Sequence, residues 1–243
     1  MTSRQRADRL LVARGLFESR AKAQAAIAAG LVTANDVAVR RPSDEIAADA
    51  TLRAQAEHPW VSRGGVKLAA ALDDFRFDPK GRVCLDVGAS TGGFSEVLVA
   101  RGAKRVYAVD VGTGQLHAKL KARPEIVSLE NTDIRTLDPA LLPEPPDFVV
   151  IDASFISLKL ILPPALALTR RPAWLLALIK PQFEVGRGGT KKGIVRDPAA
   201  QDAVCDDITT FVRSLGWTVS GIFPSPITGG DGNREFFVGA VHD

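Results

Sequence analysis

The chain has 243 residues, of which 46% are hydrophobic and 24% charged, with a formal net charge of +3 and a pI near 9.0. These values place it among ordinary globular proteins with one large core, or one core and a small module. Its two cysteines have neither metal-ligand nor disulfide-framework spacing, and its apolar stretches are broken by proline and arginine. We therefore expect no structural metal, no disulfide and no membrane span, and a reduced, cytoplasmic protein.

Residues 1–60 predict a small module of helices and short strands. A first helix extends towards Phe17, a second runs over 19–29 before a glycine, and two short strands flank a turn at 35–36. The first 22 residues contain six Lys or Arg against two Asp or Glu. Such an excess favours a polyanionic partner, although a single basic run is also common on a solvated helix face.

The pattern of residues in this module resembles the small RNA-binding domain shared by a small-subunit ribosomal protein, some pseudouridine synthases and tyrosyl-tRNA synthetases. Asp36 departs from it, because such modules usually have Gly after the Asn of this turn, and the turn type therefore stays open. The resemblance implies RNA phosphate contacts from Arg4, Arg6, Arg20 and Lys22.

A helix is predicted from Ser62, with two basic residues near its start. Arg63 is a further candidate for contacting RNA. Lys67 lies close to an apolar stripe, and on its own it indicates a solvated lysine more than a catalytic one.

Residues 83–98 predict a buried strand, a glycine turn and a helix. The glycines allow a sharp turn and close approach of a ligand to the main chain. Their spacing does not fit the dinucleotide fingerprint, and Phe94 stands where a phosphate loop needs lysine. A second acid, Asp110, ends the next strand. This arrangement resembles the S-adenosylmethionine site of methyltransferases, and a packing turn in another α/β domain is the alternative.

The resemblance implies cofactor contacts from the glycine segment and from the strand-end acids. In it the first loop holds the methionine and ribose, and the second acid binds the ribose hydroxyls. Asp133, after a third strand, either meets the adenine or caps a turn. The candidate cofactor residues are Asp86, Gly88, Ala89, Ser90, Thr91, Gly92, Gly93, Phe94, Asp110 and Asp133.

Two further buried strands, 148–152 and 174–180, end in Asp152 and Lys180. In open α/β sheets ligands lie beyond the carboxyl ends of the strands, so these side chains are expected on one edge with Asp86 and Asp110. A helix over 197–215 and strands over 217–223 and 233–241 complete the prediction.

The segment from Lys180 to Arg196 is basic and glycine-rich. It predicts either a mobile loop that closes over a nucleic-acid backbone, with Arg187, Lys191 and Lys192 on the phosphates, or a disordered surface loop.

Five motifs together resemble the TlyA family of ribosomal RNA 2′-O-methyltransferases, also called haemolysin A. They are residues 61–67, 86–94, 152–155, 180–184 and 231–235. The resemblance implies an RNA-binding domain over 1–60. It also implies an FtsJ-like methyltransferase domain over 61–243, with a Rossmann-like, mostly parallel sheet whose last strand is antiparallel. It further implies metal-free use of S-adenosylmethionine on cytidine ribose in large-subunit, and for some members small-subunit, ribosomal RNA.

The family's catalytic tetrad of Lys, Asp, Lys and Glu falls on Lys67, Asp152, Lys180 and Glu235. A ribose 2′-OH is a poor nucleophile and must lose its proton as the new bond forms. Lys180 would take that proton as a neutral amine, favoured by burial and by the nearby Lys67, or would stay charged and stabilise the developing alkoxide. The sequence leaves both roles open.

Two other classes of function compete with the enzyme. A ribosome-assembly factor would bind RNA without turnover, which the intact tetrad argues against. A membrane-active haemolysin would need a long apolar span, which the sequence lacks. The oligomeric state and the target nucleotide have no sequence signal.

Overall fold

A computed structural model describes residues 3–186, 190 and 193–243. The chain divides into two compact units, Met1–Pro59 and Trp60–Asp243. Within the described ranges, no helix is long and apolar enough to cross a membrane.

The first unit is a small α+β module with its own apolar core. Strand β1 pairs antiparallel with β4, and β2 lies between β3 and β5 in a three-stranded sheet. The core contains Leu10, Leu11 and Ile27. The elements are β1 (Arg4–Arg6), α1 (Ala7–Ala13), α2 (Arg20–Ala28), β2 (Val32–Ala34), β3 (Val37–Ala38), β4 (Glu45–Ala47) and β5 (Leu52–Ala54).

The turn between β2 and β3 has positive φ at both central residues, 49° at Asn35 and 62° at Asp36. This is the conformation of a two-residue type I′ hairpin, in which Asp replaces the usual Gly. The Oδ1 of Asn35 accepts a hydrogen bond from the backbone N–H of Thr51 at 2.8 Å. The side chain therefore helps to hold the left-handed backbone, and the hairpin forms despite Asp36.

The first helix is shorter than predicted. It ends at Ala13, and Gly15 follows with a φ of +69°. Phe17 nevertheless packs into the core beyond the helix, with 8% exposure. The apolar pattern therefore indicated burial of Phe17 correctly but not its helical conformation.

The second unit is a layered α/β domain. Its elements are α3 (Arg63–Phe75), β6 (Val83–Val87), α4 (Gly93–Ala100), β7 (Arg105–Val109), α5 (Ala118–Lys121), β8 (Ile126–Leu129), a 3₁₀ turn (Pro139–Leu141), β9 (Phe148–Ile151), α6 (Leu158–Ala167), β10 (Ala173–Ile179), α7 (Pro181–Glu184), α8 (Pro198–Ser214), β11 (Thr218–Pro224) and β12 (Phe236–His242).

Seven strands form one sheet in the order β11-β12-β10-β9-β6-β7-β8. Strands β10, β9, β6, β7 and β8 pair parallel, and β12 runs antiparallel to both β10 and β11. The predicted Rossmann-like sheet with an antiparallel last strand is therefore confirmed.

Alternating side chains of β6 show how the two faces are filled. Leu85 and Val87 join the core that contains Ile161 of α6 and Ile208 of α8, whereas Cys84 joins the core on the α3 and α4 side. The sheet is thus covered on both faces, which leaves its edge at the strand ends for a ligand. The strand order reverses between β6 and β9, and such a switch point is where open α/β sheets bind ligands.

Candidate active site

A cavity of about 480 Å³ opens beyond the carboxyl ends of β6, β7 and β9. This volume is within the usual range for small-molecule sites. Its wall is part polar and part apolar: Val87, Gly88, Ser90, Val109, Asp110, Val111, Gln115, Thr132, Asp133, Ile134, Arg135, Asp152, Ala153, Ser154, Phe155, Ile156 and Ile161.

Asp110 is held rigidly at the end of β7. Its Oδ2 accepts the backbone N–H of Ser90 at 2.8 Å, and its Oδ1 accepts that of Gly112 at 2.7 Å. A carboxylate has about four acceptor positions, so Asp110 keeps capacity for a ligand hydroxyl. The carboxylate also ties the glycine loop to the end of the neighbouring strand.

Asp133 lines the same cavity and also caps a turn. Its carboxylate accepts the backbone N–H of Arg135 and pairs with the Arg135 guanidinium at 2.6 Å. The side-chain hydrogen bonds from Arg135 hold the pKa of Asp133 below its ordinary value. The two alternatives for this residue are therefore compatible: a turn cap that presents an ionised carboxylate to the cavity.

The glycine segment divides between the cavity and the packing of helices. Gly88 (φ +82°) and Ser90 line the cavity, and a Cβ on Gly88 would lie 2.7 Å from the Asp152 carbonyl oxygen. A Cβ on Gly92 would collide with Leu120, and one on Gly93 with the Ser62 hydroxyl.

Four other predicted cofactor residues lie outside the cavity wall. Phe94 is buried and stacks on Phe237, with ring centroids 6.1 Å apart. Ala89 is buried, and Thr91 is exposed. Asp86 is also absent from the wall.

Asp86 is completely buried on the side of the sheet that faces α4. Its neighbours Leu85 and Val87 point to the opposite face, since strand side chains alternate. The Ser95 hydroxyl donates to Asp86 Oδ2 at 2.6 Å, while Oδ1 has no hydrogen-bond partner in the described chain. Burial raises the pKa of Asp86 to about 7. The sequence predicts Asp86 as a cofactor contact, but the structure places its side chain behind the cavity wall.

The four tetrad candidates form two lysine–carboxylate pairs. Lys67 Nζ lies 2.5 Å from Glu235 Oε2, and Lys180 Nζ lies 2.6 Å from Asp152 Oδ1. Lys67, Lys180 and Glu235 are buried, with exposed fractions of 8%, 8% and 4% for the whole residues. Ion pairs so poorly solvated are strongly coupled, because water screens them little.

Strand register explains why three of these residues meet. The last pair between β10 and β12 is Ile179 with Phe236, so Lys180 and Glu235 occupy the next positions on adjacent strands. Asp152 follows β9, the other neighbour of β10. Lys67 reaches the same edge from α3 by pairing with Glu235.

Sequence reasoning missed part of the cavity wall. The Ser154 hydroxyl oxygen accepts a hydrogen bond from Lys180 Nζ at 2.8 Å. Phe155 is 90% exposed with a φ of +64°, and its ring lies 5.2 Å from that of Phe183. Both follow Asp152 in the motif over 152–155, from which the sequence predicts a role for the acid alone. The motif does not predict the positive φ of Phe155, because bulky residues rarely adopt this conformation.

The basic residues predicted to contact RNA are largely engaged within the first unit. Arg6 and Arg20 both bind the buried carboxylate of Asp8, at 3.0 and 2.9 Å. The hydrogen bond from Arg6 holds the pKa of Asp8 well below its usual range. Lys22 pairs with Glu18 at 2.6 Å on the surface. Arg6 and Arg20 therefore have a structural role whatever else they contact.

Of the remaining basic candidates, two make hydrogen bonds to backbone carbonyls and three lie outside the described residues. Arg4 is exposed and donates to the Glu45 carbonyl at 2.5 Å. Arg63 donates to the Thr228 carbonyl at 2.7 Å. Arg187, Lys191 and Lys192 lie outside the described residues.

A seven-stranded sheet with an antiparallel last strand, a cavity at its switch point and a strand-end acid in that cavity define a Rossmann-like methyltransferase domain. The model of the FtsJ-like methyltransferase family matches residues 60–241, and that of the S4 domain matches residues 5–52. The chain belongs to the FtsJ-like methyltransferase family.

Individual relatives resemble the chain over nearly its whole length. YqxC of Bacillus subtilis (strain 168) is 45% identical over 98% of this chain and 86% of its own. A Mycobacterium tuberculosis (strain H37Rv) protein, named 16S/23S rRNA (cytidine-2'-O)-methyltransferase TlyA, is 42% identical over 98% and 90%. The solved structure of a protein described as a hemolysin, from Streptococcus thermophilus, has 40% identity, covers 99% of this chain and 89% of that one, and superposes with a TM-score of 0.78.

Proposed function

We propose that this protein transfers the methyl group of S-adenosylmethionine to the 2′-hydroxyl of a cytidine ribose in ribosomal RNA. The observation that carries the proposal is the Lys180–Asp152 pair at the cavity wall, backed by the buried Lys67–Glu235 pair on the same edge of the sheet. The name of the Mycobacterium tuberculosis relative supports the reaction and the substrate.

The cavity residues suit this cofactor. Asp110 keeps free acceptor positions for the ribose hydroxyls, and Asp133 offers an ionised carboxylate to an adenine amino group. Val111 and Ile134 supply apolar contact for a flat base. Gly88 brings the main chain close to the loop after β9. When bound, the cofactor supplies an electrophilic methyl group.

The protein's own task is to prepare the hydroxyl. Lys180 is the residue that meets the 2′-OH, either as a neutral amine that takes the proton or as a cation that stabilises the oxyanion. Asp152 places a compensating negative charge beside the Lys180 amine. Glu235 neutralises Lys67, so that a second buried cation adjoins the site without an uncompensated charge.

RNA recognition is assigned to the N-terminal module, residues 1–60, and methyl transfer to residues 61–243. The S4 match and the basic N-terminal residues support this division. On the catalytic unit, the exposed ring of Phe155 at the cavity rim provides a platform on which a nucleobase can stack.

The test is methyl transfer from labelled S-adenosylmethionine to purified small and large ribosomal subunits that lack 2′-O-methylcytidine. We expect label in 2′-O-methylcytidine after complete nuclease digestion. Label on a base would contradict the proposed reaction. RNA binding without any transfer would instead support a ribosome-assembly factor.

A further inference from the structure

The Lys180 amine has two close oxygen neighbours, and they hold it differently. Ser154 Oγ accepts a hydrogen bond from Lys180 Nζ at 2.8 Å. Asp152 Oδ1 lies at 2.6 Å, within ion-pair range, yet it has no hydrogen-bond partner in the described chain because the alignment is poor. Among the described residues, the directional contact to the amine is therefore made by the serine, and the carboxylate contributes mainly charge.

A second contact holds the loop of Ser154 to the segment that carries Lys180. Glu184, at the end of α7, accepts hydrogen bonds from the Ser157 hydroxyl at 2.5 Å and from the Leu158 backbone N–H at 2.8 Å. Helix α7 begins directly after Lys180. The loop after β9 and the segment after β10 are thus joined at a second point, which is separate from the Lys180–Ser154 contact.

We propose that Ser154 is a positioning residue for methyl transfer, which orients the Lys180 amine towards the ribose 2′-OH. This inference rests on the proposed function and adds a residue to its machinery. Ser154 lies on the wall of the cavity itself, unlike Glu235 and Lys67. Its hydroxyl is therefore close to where the reacting atoms must lie.

The geometry of a lysine nitrogen explains how one hydrogen bond can orient it. The nitrogen is tetrahedral and has three positions besides its bond to carbon. One N–H points at Ser154, a second position lies beside Asp152, and the third is left for the substrate. That position carries a lone pair in the neutral amine and a proton in the ammonium. The 2′-oxygen forms its bond to the methyl carbon as the carbon–sulfur bond breaks, and the hydroxyl proton passes to Lys180 or to water. Ser154 serves either role of Lys180.

The test compares wild type, Ser154→Ala and Ser154→Thr in single-turnover methyl transfer at saturating cofactor and RNA, from pH 6 to 10. We expect Ser154→Ala to lower the rate by a factor on the order of 10 to 10², as misorientation does. The midpoint of its pH profile should move to lower pH, because a hydroxyl acceptor favours the charged amine. Ser154→Thr keeps the hydroxyl, so its rate and the midpoint of its pH profile should both lie close to those of the wild type. Cofactor affinity should stay within about threefold.

Ser157→Ala is the matched control, since it removes a hydroxyl from the same loop that contacts Glu184 and not Lys180. It should lower the thermal midpoint without moving the pH profile. An equal rate loss and profile shift in Ser157→Ala would overturn the inference, as would a wild-type rate and profile in Ser154→Ala while the wild type is active. If the wild type transfers no methyl group to either ribosomal subunit, the proposed function itself fails, and this inference with it.

Discussion

The Nζ of Lys67 and the Oε2 of Glu235 lie 2.5 Å apart, joining α3 to the residue before β12 across 168 positions of sequence. The exposed fractions of the two side chains are 10% and 3%. Each charge is thus removed from water and compensated almost entirely by the other. The pair links the helix that precedes the sheet to its last strand.

We expect removal of one partner to destabilise the second unit more than removal of both. Lys67→Met leaves a buried carboxylate uncompensated, and Glu235→Leu leaves a buried ammonium, each at a cost of roughly 3–5 kcal/mol. The double variant should lose much less than the sum. Urea unfolding of the four proteins measures this coupling, and additive losses would show that the two charges do not depend on each other.

Asp110→Ala should act on cofactor binding. The variant loses its hydrogen bonds to the ribose of the cofactor, which are worth about 1.5–3 kcal/mol for a charged acceptor. S-adenosylmethionine binding should therefore weaken by roughly 10- to 100-fold. The single-turnover rate at saturating cofactor should change far less, since that ribose does not react. Calorimetry provides the affinity, with Asp138→Ala as control, because Asp138 is an exposed turn cap outside the cavity. Equal affinities for Asp110→Ala and the control would exclude the proposed contact.

Asp86 should make stability depend on pH. Burial raises its pKa to about 7, so the native state keeps a proton that the unfolded chain releases near pH 4. The stability from this group is therefore present at low pH and is lost as pH rises from about 4 through 7. Asn at position 86 cannot ionise. The free energy of unfolding of Asp86→Asn, relative to that of the wild type, should therefore rise by roughly 3 kcal/mol between pH 5 and pH 8. Denaturant unfolding at both pH values tests this, and a pH-independent difference would refute it.

Lys22 is a better site than Arg20 for testing RNA binding by the first unit, because Arg20 also pairs with buried Asp8. Arg20→Glu would place a carboxylate beside buried Asp8 and lower stability along with any RNA affinity. Lys22 lies on the surface, so Lys22→Glu should leave the thermal midpoint nearly unchanged. It should weaken RNA binding and reduce the slope of log affinity against log salt by about one. An unchanged slope would place the RNA surface elsewhere.

The sequence was most informative where residue type and strand position agree. Asp110, Asp152 and Lys180 each follow a continuous apolar run, and the carboxyl ends of parallel strands share one edge, so their approximate location was predictable. The parallel sheet followed from the same runs, whereas its antiparallel last strand was implied by the family resemblance alone. In the first unit, the three-residue strands β1, β4 and β5 are too short to give a periodic signal.

What the sequence could not provide is the direction in which a side chain points and the neighbours it meets. Asp86 precedes the glycine turn, yet strand alternation turns it towards Ser95 and away from the cavity. Gly92 and Gly93 are required by neighbouring side chains, which only the packed helices reveal. Ser154 and Arg20 gain their roles from contacts made 26 and 12 positions away. Such contacts depend on tertiary packing and leave no local pattern.

The central claim, that this is an enzyme with Lys180 at its reacting centre, is tested most directly by single-turnover methyl transfer with Lys180→Ala at saturating cofactor and RNA. Lys159→Ala is the matched control, because Lys159 is a surface lysine that pairs with Asp207. We predict that Lys180→Ala lowers the rate by a factor on the order of 10² to 10⁴ while cofactor and RNA affinities stay near normal. Lys159→Ala should keep the wild-type rate. A wild-type rate in Lys180→Ala would contradict both roles assigned to Lys180.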